Sequence, residues 1–190
     1  MRVRDAEATR RNLLAAATAD FAAYGIAGAR VDRIAAEAGV NKALLYSHFG
    51  DKLGLFDAVF RMHAGAVVEA TPFTAEDLPD YAVRLYDAAV ARPELIRLAA
   101  WARLERVGTG NLVTDESASA AKLRAIADAQ RTGFITPAME PQDVLALVIA
   151  MALTWSCAGL SYVATPDDSP ADHERRRQAL STAVSRAFAP

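Results

Sequence analysis

Lys42, Tyr46, Ser47 and His48 fall within seven residues of one another. Their donors and acceptors suit the edges of base pairs, which the DNA major groove displays in a pattern distinct for each pair. The surrounding segment, Val31-Asp-Arg-Ile-Ala-Ala-Glu-Ala-Gly-Val-Asn-Lys-Ala-Leu-Leu-Tyr-Ser-His-Phe49, reads as two helices meeting at a sharp turn. Ala35 is small enough to admit the second helix, Gly39 can take φ > 0 at the turn, and Ile34, Val40 and Leu45 are spaced to fill the wedge. The polar side chains are then left on the outer face. No rival chemistry is legible: there is no metal-ligand spacing, no nucleophile elbow and no phosphate-cradling glycine loop. Cys157, the only cysteine, sits inside an apolar run, where an inert buried thiol is expected. An enzyme, a metal site and a cofactor are therefore not expected.

Such side chains need helices to hold them, and the composition supplies helices. Alanine abounds, β-branched runs are scarce, and 53% of the 190 residues are apolar, ample for a core. Helical spacing of Leu13, Leu14, Ala17 and Phe21 predicts a first helix over Ala8 to Tyr24, closed by Gly25. A second over Val31 to Ala38 ends at Gly39, and a third over Lys42 to His48 is capped by Asn41. A fourth runs from Asp51 to about Ala70, and others are predicted over 81–92, 94–107, 116–132, 142–164 and 171–188. The expected fold is all-α with about nine helices. A lone cysteine excludes a disulfide framework and no signal peptide is legible, so the cytoplasm is expected.

Charge alone decides little. Through Lys52 the chain has eight Lys plus Arg against six Asp plus Glu, a net of +2. The remainder has thirteen against seventeen, a net of −4, which conceals the sign of the first part behind an overall −2.

The first third of the chain resembles the TetR family of bacterial regulators. The resemblance rests on the first helix, on Val31-x-x-Ile34-Ala35-x-x-Ala38-Gly39-Val40, and on Lys42-x-x-Leu45-Tyr46-x-His48-Phe49 followed by Lys52. It implies a DNA-binding domain over 1–51 and an effector-binding and dimerisation domain over 52–190. It further implies that Tyr46, His48 and Lys52 clamp phosphates, while Asn41, Lys42, Ala43, Leu44 and Ser47 face base edges or the flanking backbone. Two positions depart from the family's usual hydroxyl residues. Arg30 forgoes a helix cap yet offers a cationic arm to a phosphate, and Leu44 could touch a thymine methyl.

For the remaining two thirds the resemblance implies a small effector and a homodimer. A pocket lined by Met62, Tyr86, Trp101, Leu104, Phe134, Met151 and Trp155 would suit an apolar or aromatic molecule. The uncharged run from Val144 to Thr165 has the length of a membrane span. Its acidic flanks and its Thr, Ser and Gly content argue against insertion, so no membrane partner is expected. The resemblance implies instead that this helix packs with the last one against their mates in a second subunit. On the last helix Leu180, Val184, Ala187 and Phe188 are predicted to form the dimer seam, with Arg175, Arg176 and Arg177 facing solvent. Glu105 has no partner legible in the sequence. The implied function is a ligand-responsive regulator, in the usual case a repressor, that binds a palindromic double-stranded operator as a dimer. The alternative is a helical effector-binding adaptor that has lost DNA recognition, but such a protein should lack Lys42, Tyr46, His48 and Lys52 together.

Overall fold

The computed structural model describes the backbone of residues 2–106, 116–159 and 161–190, and side chains over 6–66, 71–106, 118–159 and 161–190. Among the described residues the regular structure is helical: α1 (Arg2–Gly28), α2 (Val31–Glu37), α3 (Lys42–Phe49), α4 (Lys52–Ala70), α5 (Leu78–Ala91), α6 (Pro93–Glu105), α7 (Glu116–Arg131), α8 (Pro141–Ala152) and α9 (Pro170–Phe188), with one 3₁₀ turn at Ala75–Asp77. The expected helices are present. The extension of the sixth to Val107 lies outside the described residues.

The largest departure is α8, predicted to continue to Ala164 but ending at Ala152. Beyond it, side-chain hydroxyls turn back on the main chain. Thr154 donates to the Ala150 carbonyl at 3.3 Å, Ser156 donates to that of Leu153 at 2.7 Å, and the Ser156 Oγ accepts from the Ala158 amide at 3.2 Å. Ser and Thr offer the backbone these alternatives to a helix ladder. Among the described residues, no helix is long and apolar enough to cross a membrane.

Two compact units divide the chain. The first comprises Met1–Ala66 with Glu94–Leu112, the second Val67–Pro93 with Val113–Pro190. The grouping differs from a division at residue 51, because α6 joins the first unit. Its Leu98 and Ala102 are buried in the same core as Leu13, Phe21, Ile34, Leu45, Phe56 and Val59. Edge-to-face packing of Phe21 on Phe56, with centroids 5.2 Å apart, sits in this core. In the second unit, Leu78, Tyr81, Tyr86, Ile126, Val144 and Val148 share a core with Leu180, Val184 and Phe188. Residues of α4 are shared between the two units.

Candidate nucleic-acid interface

The turn between α2 and α3 is built as the residue types require. Gly39 has φ of 69°, its amide donates to the Ala36 carbonyl at 3.1 Å, and the Val40 amide donates to that of Ala35 at 3.0 Å. This pair of bonds is a Schellman ending, and the left-handed residue at its centre is suited to glycine. Leu45 is wholly buried, Ile34 and Ala35 nearly so, and Val40 packs on the same cluster. The wedge is therefore filled by the expected residues.

With that side buried, α3 turns Lys42, Ala43, Leu44, Tyr46 and Ser47 to solvent, Tyr46 at 45% exposure and Leu44 at 39%. Local bonds already use part of their polar capacity. The Asn41 Oδ1 accepts from the Leu44 amide at 2.8 Å as the helix cap, so its amide nitrogen is the group left for a base. Ser47 donates to the Leu44 carbonyl at 2.8 Å and keeps its acceptor lone pairs. Lys42 is ion-paired with Asp32 on α2. His48 is half-buried beside Phe49, with ring centroids 5.9 Å apart.

Lys52 is placed otherwise than a bare phosphate clamp. Half-buried at the start of α4, its Nζ donates to the carbonyls of Ala27 at 3.1 Å and Ala29 at 3.3 Å. Two of its three donors thus brace the connection from α1 to α2. As expected, no Arg30 side-chain cap forms on α2. The orphan Arg30 amide donates to the carboxylate of Asp20 at 3.0 Å, while the Arg30 side chain remains exposed. Asp20 is only 6% exposed and also pairs with Arg33 through Nε and through a 3.0 Å bond from the terminal nitrogen. The carboxylate holds the Arg33 pKa above its ordinary value, chiefly by hydrogen bonding. Over the other face, Arg33 lies 4.0 Å from the Tyr24 ring centroid.

Three residues of this head make contacts not assigned from the sequence. Asp20 is an acid on the inward stripe between Ala17 and Phe21, a signal that could have marked it. Arg10 is exposed on α1 with its guanidinium 5.2 Å from the centroid of Phe49, beside His48. Glu105 at the end of α6 accepts from the amides of Ile26 at 3.2 Å and Ala27 at 2.6 Å. No local pattern announces those two, because each partner lies far away in the chain.

The residues expected to line an effector pocket are divided. Met62, Trp101 and Leu104 belong to the first unit, where Met62 is 42% and Leu104 76% exposed and Trp101 packs on the core. Tyr86, Phe134, Met151 and Trp155 belong to the second. There Tyr86, buried, meets Trp155 edge to face at 5.8 Å and its hydroxyl lies 2.7 Å from the His173 Nδ1. Met151 packs on the same core. Phe134 lines a different groove of about 240 Å³ with Ile135, Val184 and Phe188.

The residues expected in a dimer seam face inward in the single chain. Leu180, Val184 and Phe188 are at most 3% exposed within their own chain, and Ala187 packs against the same core. Helical periodicity reveals an apolar stripe but not which neighbour covers it. Arg176 continues this inward stripe. Expected at the surface, it is instead 4% exposed, donates to Asp168 at 2.6 Å and lies 5.3 Å from the Tyr162 ring centroid. Arg175 and Arg177 are surface residues paired with Asp172 and Asp87. Among the residues that α8 and α9 leave outward are the apolar and small Leu147 and Ala150 on α8 and Ala179, Thr182 and Ala183 on α9, alongside charged ones such as Asp143, Glu174 and Arg186.

An exposed recognition helix on a buried wedge, followed by a second helical unit with its own core, defines a two-unit helix-turn-helix regulator of transcription. Comparison with known proteins agrees. Residues 13–59 match the family described as bacterial regulatory proteins, tetR family, and residues 77–186 match a tetracyclin repressor-like C-terminal domain. A transcriptional repressor of Streptomyces coelicolor, SCO4008, is 41% identical over 155 residues, covering 80% of each chain. The crystal structure of SCO4942 from the same organism, assigned to the transcriptional regulators, is 40% identical. It covers 95% of this chain and 98% of that one with a TM-score of 0.79. A Mesorhizobium loti structure assigned to the TetR family shares the fold at 23% identity, covering 97% of this chain and 98% of that one, with a TM-score of 0.63. The chain belongs to the TetR family of bacterial transcriptional regulators.

Proposed function

We propose that the protein is a cytoplasmic repressor that binds a palindromic operator as a homodimer and is released by a small effector. The observation that carries the DNA part is the outer face of α3, where Lys42, Ala43, Leu44, Tyr46 and Ser47 are exposed together on a helix anchored by buried Leu45. In this reading Leu44 and Ser47 meet base edges, with Asn41, Lys42 and Ala43 at the groove's margin. Tyr46, His48 and Arg30 hold the backbone. Arg10 joins them, since its guanidinium stands at the end of α3 over Phe49. Lys52 lends charge while bracing the main chain. Phosphate contacts fix register, and the base contacts carry specificity.

Dimerisation through the outward band of α8 and α9 would set two recognition helices about one helical turn apart, the spacing that a palindrome demands. Small residues on α9 suit close helix approach. Effector binding would act through the second unit, where Tyr86, Trp155 and Met151 already form an aromatic and apolar cluster fit for an apolar or aromatic molecule. Release of DNA can be no greater than the effector's differential affinity for the two states.

Selection of bound sequences from random duplex DNA tests this reading. A palindromic consensus is the expected result, and recovery of no preferred sequence would reject it. Effectors can be sought by thermal shift, where a ligand at about 100 times its Kd adds about 2.7 kcal/mol to stability.

A further inference from the structure

We infer that Glu105 is a positioning residue for DNA reading: its carboxylate fixes the α1–α2 connection and thereby sets the pose of the recognition helix. This rests on the proposed operator binding. Between Gly25 and Arg30 the main chain is held by side chains from three helices. Glu105 of α6 accepts from the amides of Ile26 at 3.2 Å and Ala27 at 2.6 Å. Lys52 of α4 donates to the carbonyls of Ala27 at 3.1 Å and Ala29 at 3.3 Å. Asp20 of α1 accepts from the Arg30 amide at 3.0 Å. The next residue, Val31, opens α2, and residues 39–41 then lead to α3. The direction of α3 is therefore inherited from this short clamped stretch.

The contact with α6 is built into the backbone. Gly25 has φ of 73° and ψ of 178°, a region open essentially to glycine. A Cβ there would lie 2.5 Å from the Glu105 Oε1 and 3.0 Å from the Trp101 Cε3, so a side chain would push the Glu105 carboxylate off the turn and press on the Trp101 ring. Glu105 also stands where a carboxylate is unfavourable, at the last residue of α6 beside the negative end of its dipole. Its bonds to two unpaired amides of a neighbouring turn supply a reason for that placement. Because Glu105 is exposed, those bonds compete with water and contribute little to global stability. Position, rather than stability, is what it controls.

The test uses the full-length protein and two duplexes, the sequence selected by the wild type and a mixed-sequence control. Glu105→Ala should weaken operator binding by about tenfold, the size of one base-edge hydrogen-bond pair, and lower the ratio of specific to non-specific affinity. The salt slope should be unchanged, because every phosphate keeps its cationic partner. Glu105→Gln, which keeps an acceptor oxygen, should recover part of the affinity, and it serves in place of the alanine variant if that variant folds poorly. Equal operator affinity and equal specificity ratio in folded wild type and variant would overturn the inference. A wild type with no preferred sequence would instead overturn the operator reading itself.

Discussion

Tyr46 and Arg10 differ in what surrounds them, yet the proposed interface gives each a phosphate to hold. Alanine at either should weaken binding to every duplex and reduce the slope of log affinity against log salt by about 0.9 for each phosphate left without its partner, as read by fluorescence anisotropy in a salt series. An unchanged slope would remove that residue from the clamp. Lys52 should behave differently. Lys52→Ala removes two bonds from a charged donor to main-chain carbonyls, so chemical denaturation should show a destabilisation of about 1–3 kcal/mol in addition to any weakening of DNA affinity. The contrast marks the limit of the sequence at this scale. Asn41 was legible as a cap because its partner, Leu44, is three residues on. Asp20, Lys52 and Glu105 were not legible in these roles, because their main-chain partners lie 10, 23 to 25, and 78 to 79 residues away.

Elements were legible where glycine, proline and capping residues punctuate a periodic stretch, as at α2, α3 and α5. The uncharged run after Ala152 misled, since hydropathy does not register hydroxyls that bond back to the main chain. At α9 the start is secured twice. Ser169 caps the helix by accepting from the Asp172 amide at 3.1 Å and donates to the Asp172 carboxylate at 2.8 Å. That bond and Arg175 hold the Asp172 carboxyl below the usual range. Arg176, then Thr165, do the same for Asp168. A carboxylate whose folded pKa is depressed stabilises the fold fully above its unfolded value and loses that contribution as pH falls through the folded one. Stability should therefore decline as pH drops below about 4. Asp168→Asn should be less stable at neutral pH and show a shallower acid decline in thermal melts between about pH 6 and about pH 2. Identical pH profiles for variant and wild type would mean that the Arg176 pair carries no linkage.

At the scale of the whole molecule the two faces of α9 have separate consequences. Leu180→Ala should cost about 2–5 kcal/mol of folding stability, because Leu180 fills the chain's own core. Leu147→Glu combined with Ala183→Glu should leave the fold intact and convert a dimer to a monomer in light scattering, since both positions are exposed in the single chain. A double variant that stays dimeric would place the subunit contact elsewhere. The share of α6 in the first unit's core was not legible, because α6 is remote in sequence from the core it completes. Leu98 and Ala102 complete the hydrophobic core that backs the recognition helix. Exchange of reading heads between relatives is thus not a matter of a single splice. A graft cut after residue 51, or even after Ala66, would leave its new host to supply α6, with a ring to pack on Gly25 as Trp101 does and an acceptor for the two amides that follow. Modularity in this protein is discontinuous, and a chimera that respects it must carry two segments of the donor chain.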